Sequence, residues 1–432
     1  MTATYPKIAY VTAGAAGMYC GSCMHDNTLV RALIRLGVDA QLIPMYTPLR
    51  TDETAVTIDR VFFGGINVYL EQRLPLFRRL PAWTCAWLDH PRLLRWATRR
   101  GVETDSSQLG AMTVSMLRGE RGFQRREVRR LVRYLADELR PDVVILTNFL
   151  VAGFLPTLKK AAPRIKTVVT LQGDDIFLDG MIEPFRKQAL AELRSLIPAA
   201  DHFLAHSAYY RDYMANLLDL PGERMFVTRL GIDISGYDSP RPPRADDDPP
   251  TVGYLARIDR AKGLHTLVDA FIELRRLPGC EDARLKIAGY LGPDKQRYLA
   301  EQETRLQEHG AGEAYVFVGE LTRAEKIAYL KSVDVLSVPT QWPDPKGLYV
   351  LEALAAGTPV VQPRHGAFPE ILEATGGGPL FEPGDAADLA RQLNTLLMDR
   401  PAAQQIGAVG QRAIAANYTS ERAAREMLER LR

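Results

Sequence analysis

Residues 344–361 read Asp-Pro-Lys-Gly-Leu-Tyr-Val-Leu-Glu-Ala-Leu-Ala-Ala-Gly-Thr-Pro-Val-Val. An apolar run, Val335–Val338, precedes this stretch and another, Pro359–Val361, closes it. Between Gly347 and Gly357 the pattern is helical, so the unit reads strand, loop, helix, strand. Runs that are apolar throughout suit strands buried on both faces of a parallel sheet. Asp344 and Glu352 stand eight positions apart, with Gly347 between them to permit close backbone approach. A helix opening near Gly347 aims its first N–H groups at whatever lies beyond the strand ends, where they can hold an anion or sugar hydroxyls. A plain capped helix accounts for Asp344 and Gly357. It does not account for an acid at Glu352 inside the apolar stretch Leu348 to Ala356.

The same alternation runs outward in both directions. In the first half, short β-rich runs occur at Ile8–Thr12, Ala40–Pro44, Val143–Leu146, Thr167–Leu171, Phe203–Ala205 and Phe226–Thr228. In the second half they recur at Val252–Leu255, Leu285–Ala288, Tyr315–Val318, Val335–Val338, Pro359–Val361 and Leu380–Phe381. Longer helical patterns separate them, which implies βαβ units and doubly wound sheets. Asp238–Pro250 has five prolines and three consecutive aspartates, so it is neither a sheet strand nor a helix interior. It predicts a linker. The expected fold is α/β, with two Rossmann-like doubly wound parallel-sheet domains facing a cleft: residues 1–237, the linker 238–250, and residues 251–415. Residues 416–432 are expected to form a helix that packs back on the first domain, capped by Thr419 or Ser420.

Composition narrows the function classes. The chain has 432 residues, 46% hydrophobic and 25% charged, which excludes disorder as the dominant state. Lys plus Arg number 54 and Asp plus Glu 52, a net charge of +2, so no global field attracts nucleic acid. Four cysteines are too few for a disulfide scaffold, and a reducing, cytoplasmic setting is expected. No apolar run reaches the ~18 residues that span a bilayer. Ile8 to Gly17 reads as a first buried strand running into a glycine loop, not as a signal peptide.

Ligands of open parallel sheets bind beyond the carboxyl ends of the strands. Arg257 and Lys262-Gly263 follow one such strand and can converge on a phosphate, the Arg as a planar fork and the Lys as a point charge. Two solvated loop cations is the other reading. Gly14, Gly17 and Gly21 follow the first strand with spacing unlike a dinucleotide fingerprint. Cys20 and Cys23 read as small loop residues; a lowered thiol pKa at a helix start would make them redox-active. Tyr19, Asp26, Asn27 and Asp174 are candidates for contacting an acceptor, and Asp26 and Asn27 are equally able to cap the helix His25 to Arg35. Asp174-Asp175 and Asp246–Asp248 read as a loop and a solvated linker, and no metal site is expected. Arg73 to Arg100 holds seven arginines, one acid and three of the four tryptophans. It suits an anionic lipid surface at the inner face of a membrane, or a helical insertion packed on its domain.

The stretch that opens this section resembles the family 4 retaining glycosyltransferases of the GT-B fold, whose pattern is EPFGLVVLEAMACGTPVV and relatives. His365 to Leu372, the Arg257…Lys262-Gly263 loop, Val316 to Leu321 and Leu230-Gly231-Ile232-Asp233 lie in register with the same family. The resemblance spans about residues 225–415; over the first domain it rests on architecture. It implies that Arg257 and Lys262 hold the diphosphate of a nucleotide-sugar donor, a UDP- or GDP-sugar. Glu352 would bind the ribose. Asp344, with the amides of Gly347 and Leu348, would meet the donor sugar, and backbone around Gly319 and Leu321 would edge the nucleobase. Gly17 and Gln172 would line the donor site, and the first domain would bring a hydroxyl acceptor. Three positions depart from the pattern: Asp344 replaces Glu, Lys346 replaces Phe, and Gln172 stands where a His is common. The implied activity is transfer of a hexosyl group with retention, without cofactor or metal, in envelope, polysaccharide or glycolipid synthesis. A sugar-nucleotide epimerase of the same architecture, a non-catalytic sugar-nucleotide binding protein and, more remotely, a NAD-dependent oxidoreductase are the competing readings.

Overall fold

A computed structural model describes residues 5–14, 21–49, 51–58, 60–74, 77, 106–242, 245 and 248–431. The chain divides into two compact units, Met1–Gly231 with Ala423–Arg432, and Ile232–Arg422.

Among the described residues, the first unit carries six strands: β1 (Ile8–Thr12), β2 (Ala40–Pro44), β3 (Val143–Leu146), β4 (Lys166–Thr170), β5 (His202–Ala205) and β6 (Met225–Val227). They form one parallel sheet in the order β2-β1-β3-β4-β5-β6. Helix α1 (Gly21–Arg35) follows β1, α2 (Asp174–Asp179) follows β4, and α3 (Ala208–Leu218) follows β5. The central strands β1 and β3 are buried along their whole length, while the edge strand β6 is only partly buried. One core contains Val11, Leu146, Val169 and Phe203; the other contains Ile8, Tyr10, Ile145 and Val168.

The second unit repeats the scheme. Strands β7 (Thr251–Leu255), β8 (Arg284–Ala288), β9 (Tyr315–Gly319) and β10 (Val335–Leu336) make a parallel sheet ordered β10-β7-β8-β9. Short β11 (Gln362–Pro363) and β12 (Leu380–Phe381) pair with each other. Helix α4 (Leu264–Leu274) leaves β7, α5 (Arg323–Lys331) leaves β9, and α6 (Leu348–Ala355) follows β10. The expected strand at Pro359–Val361 lies alongside β10, with Leu336 N–H on the Pro359 carbonyl and Val361 N–H on the Leu336 carbonyl. Strand β11 itself starts at Gln362, three residues after Pro359.

The unit boundary differs from the expected linker. It falls at Gly231–Ile232, and the described part of 238–250 is tied to the second unit. A proline-rich segment offers carbonyls but few N–H groups. Lys331 and Arg400 donate to its Ser239, Ala245 and Asp248 carbonyls, and Arg241 donates to those of Val333 and Gly357. The final helix, α7 (Ser420–Leu431), is capped by Thr419, whose Oγ1 accepts the Arg422 N–H. Ala423, Ala424, Met427, Leu428 and Leu431 enter the first unit's core with Ile8, Tyr10 and Leu33. The first helix begins at Gly21, four residues before the expected His25.

Leu428→Ala is expected to cost the first unit about 2–4 kcal/mol, the usual range for a buried leucine. Urea denaturation followed by tryptophan-independent circular dichroism measures it; an unchanged midpoint would place α7 outside the core.

Candidate functional site

The site in the second unit is built where two loops meet at the carboxyl ends of neighbouring strands β7 and β10. After β7, Asp259 caps a single turn, Arg260–Lys262, by accepting the Ala261 N–H. Gly263 then takes φ +71°, the left-handed region. A Cβ there would sit 1.7 Å from the Pro339 carbonyl oxygen, so only glycine lets the two loops approach. Gln341 N–H bonds the Ala261 carbonyl at 2.9 Å and completes the contact.

That approach brings Lys262 Nζ to 2.8 Å from Asp344 Oδ2. Asp344 Oδ1 accepts the N–H groups of Lys346 (3.1 Å) and Gly347 (2.9 Å), which folds the loop into the start of α6. Gly347, at φ +58°, is the residue that turns the chain into the helix. Tyr349 OH lies 3.4 Å from Asp344 Oδ2, and Lys262 Nζ sits 5.5 Å from the Tyr349 ring centroid. Burial alone would raise the Asp344 pKa. The Lys262 ammonium and the two backbone N–H groups outweigh it and hold the carboxyl well below the ordinary aspartate range. Lys262 has two further N–H donors, and the N–H groups of Leu348 and Tyr349 lie in the first turn, with no helix carbonyl to bond.

Glu352 lies one turn along from Leu348, about 6 Å at 1.5 Å per residue. Its Oε1 meets Lys326 Nζ of α5 at 2.6 Å. Arg257 is exposed. Its carbonyl and that of Lys262 both lie 3.4 Å from the Tyr254 hydroxyl, so the two cation-bearing residues ring one phenol. Gly319 ends β9; its carbonyl accepts the Gly289 N–H, and Leu321 is partly buried just before the Thr322 cap of α5. Arg257, Lys262, Asp344, Gly347, Leu348, Glu352, Gly319 and Leu321 therefore share the carboxyl-end edge of a single sheet. Lys326, Tyr254 and Tyr349 are the members that sequence reading missed. Lys326 left a trace: it falls on the buried face of α5 with Tyr329 and Leu330, where a lysine needs an acid.

In the first unit, the described residues expected to meet an acceptor are buried. Asp26 is fully buried. Its Oδ1 accepts from Tyr10 OH (2.8 Å) and Gln172 Nε2 (3.0 Å), and its Oδ2 from Thr12 (2.7 Å) and Thr147 (2.6 Å). Burial raises its pKa, but the hydrogen bonds and adjacent His25 bring it below the ordinary value. Asn27 is buried too, pinning Thr54 and Val56 by backbone bonds. Asp174 accepts the N–H groups of Phe149 (2.6 Å) and Gln172 (3.0 Å), and burial pushes its pKa up to about 6. These three carboxyl and amide groups are buried and fasten loops. Gln172 also gives its Nε2 to the Thr147 carbonyl at 2.9 Å, so its amide nitrogen is committed within the unit. Cys23 is buried. Gly17, Tyr19 and Cys20 lie outside the described residues, as does the Arg73–Arg100 stretch apart from residues 73, 74 and 77. Among the described residues no cluster of three or more His, Cys, Asp or Glu side chains is placed to hold a metal, and no helix is long and apolar enough to cross a membrane.

Residues 238–413 match the family model of glycosyl transferases group 1, and residues 107–235 match that of glycosyltransferase family 4. The chain belongs with these glycosyltransferases. Glycogen synthase of Mycobacterium tuberculosis is 31% identical over 274 residues, a match that covers 62% of this chain and 62% of that protein. The similarity thus spans about three fifths of that relative's length. Among solved structures, the Anabaena protein HepE in complex with UDP aligns over 98% of this chain and 99% of its own, at TM-score 0.67 and 18% identity. Sucrose-phosphate synthase from Thermosynechococcus elongatus aligns over 99% and 98%, at TM-score 0.69 and 19% identity. Both likenesses establish the GT-B fold. HepE has also been solved with UDP-glucose.

Replacing Lys262 by Met leaves Asp344 buried without its ammonium, and is expected to cost about 1–3 kcal/mol at pH 7. A carboxyl depressed in the folded state stabilises above its unfolded pKa of about 4 and loses that contribution as pH falls. The gap between wild type and Lys262→Met should therefore narrow between pH 5 and pH 2.5, read by urea denaturation. A gap independent of pH would remove Asp344 as the cause.

Proposed function

We propose that this protein is a nucleotide-sugar-dependent glycosyltransferase that retains the anomeric configuration. The observation that carries the reading is the Lys262–Asp344 contact, which gathers a cation, a carboxylate and a helix N-terminus beyond one sheet edge. The group 1 family match across 238–413 and the UDP and UDP-glucose complexes of HepE support it. A uridine diphosphate sugar is the first donor to try.

In this reading Arg257 and the remaining N–H donors of Lys262 take the diphosphate, and the first turn of α6 assists. Charge develops on the leaving phosphate as its bond to the anomeric carbon breaks. Fixed cations there are each worth roughly 3–4 kcal/mol of barrier. The acceptor hydroxyl adds its oxygen to the anomeric carbon from the leaving-group face and gives its proton to the departing phosphate. No protein base is required, consistent with a glutamine at position 172. Asp344 orients a donor-sugar hydroxyl from its short side chain, and Glu352 accepts from the ribose. The cations replace a divalent metal. A hexosyl donor, a cytoplasmic location and contact with an anionic membrane through Arg73–Arg100 complete the proposal.

Thermal-shift screening against nucleoside-diphosphate sugars tests the donor class; no stabilisation by any of them sinks it. Glu352→Ala and Lys262→Ala should each weaken donor binding or turnover at least about tenfold, ~1.4 kcal/mol. Unchanged kinetics in both would reassign the site. Transfer should continue in excess chelator, and activity restored only by a divalent cation would overturn the metal-free scheme.

A further inference from the structure

Lys326 is buried, and it lies on the inward face of α5 with Tyr329 and Leu330. Its Nζ meets Glu352 Oε1 at 2.6 Å, where the two side chains are 10% and 13% exposed. Stability does not explain such a pair. Desolvating two charges offsets their attraction, and a well-packed apolar pair commonly serves as well or better. The helix that carries Lys326 is itself held rigidly. Thr322 and Glu325 form a capping box at its start, and Arg323 donates to the Asp233 and Ser235 carbonyls at 2.7 and 3.0 Å. A lysine with so little freedom fixes the rotamer of the carboxylate it touches. A carboxylate accepts hydrogen bonds at both oxygens, so two neighbouring hydroxyls can be received.

We propose that Lys326 is the positioning residue for Glu352, and that through this contact it sets the preference for a ribonucleotide over a deoxyribonucleotide. The inference rests on the reading of Glu352 as the ribose acceptor. Lys326 touches the carboxylate and acts through it, so its removal changes discrimination at the sugar of the nucleotide and leaves the phosphate subsite alone.

The test uses the full chain and calorimetric titration. Wild type is titrated with UDP, ADP and GDP; the tightest binder is then compared with its 2′-deoxy counterpart and with inorganic pyrophosphate. Wild type should prefer the ribonucleotide by at least about tenfold. Lys326→Met should reduce that preference below about threefold with pyrophosphate binding within twofold of wild type, and Lys326→Arg should restore most of the preference. Lys326→Gln serves if the Met variant fails to fold. A variant that weakens both nucleotides and pyrophosphate equally, preference intact, makes the lysine merely structural and overturns the inference alone. Wild type that binds none of the three nucleotides overturns the inference together with the proposed donor site.

Discussion

A buried carboxylate cannot stay ionised without donors, and in the second unit the Asp344 carboxylate finds them on two separate loops. Lys262 arrives from the end of β7, and the Lys346 and Gly347 amides come from its own loop after β10. The contact exists because Gly263 lets the loops close to within a carbonyl's reach of each other. Once made, it fixes where α6 begins, and so where the first-turn amides and Glu352 stand. Glu352 in turn is held by a lysine on a third segment, α5, which is fastened at its start to the Asp233 turn. Loop, helix start and Glu352 are thus links in one chain of charge satisfaction.

The first unit solves the same electrostatic problem with hydroxyl and amide donors beside the His25 imidazole. Asp26 gathers two threonine hydroxyls, one tyrosine hydroxyl and a glutamine amide. These donors come from β1 and from the loops after β3 and β4, so the carboxylate staples the carboxyl ends of three strands to α1. The tighter this bundle is, the less of it faces solvent. Asp174 works similarly, binding the Phe149 and Gln172 amides across two loops. Both acids fasten the loops around them.

Much of the fold was legible residue by residue. Apolar runs such as Ile8–Thr12 and Ala40–Pro44 match their strands, because a strand buried on both faces must be apolar throughout. Thr419 was readable as a cap because a hydroxyl ahead of an amphipathic run is a local signal. Lys262, Asp344 and Glu352 stood out in the sequence as charged positions beside strands and a glycine turn, and the structure brings Lys262 to Asp344. The other partners did not. Lys326 is an ordinary lysine until the inward face of its helix is known, and Asp26 is an ordinary helix acid until four donors from distant positions close around it.

The sequence by itself determined the alternation of strands and helices, the doubly wound class of both units and the positions that carry charge toward the strand ends. These follow from local rules, periodicity, capping and turn chemistry, which act within a few residues. Only the tertiary structure decided which charges answer one another: Lys262 with Asp344 across 82 positions, Lys326 with Glu352 across 26, and Gln172 with Asp26 across 146. A buried charge is satisfied by whatever donor the packing brings within about 3 Å, and that proximity is a property of the assembled sheets and not of any segment alone.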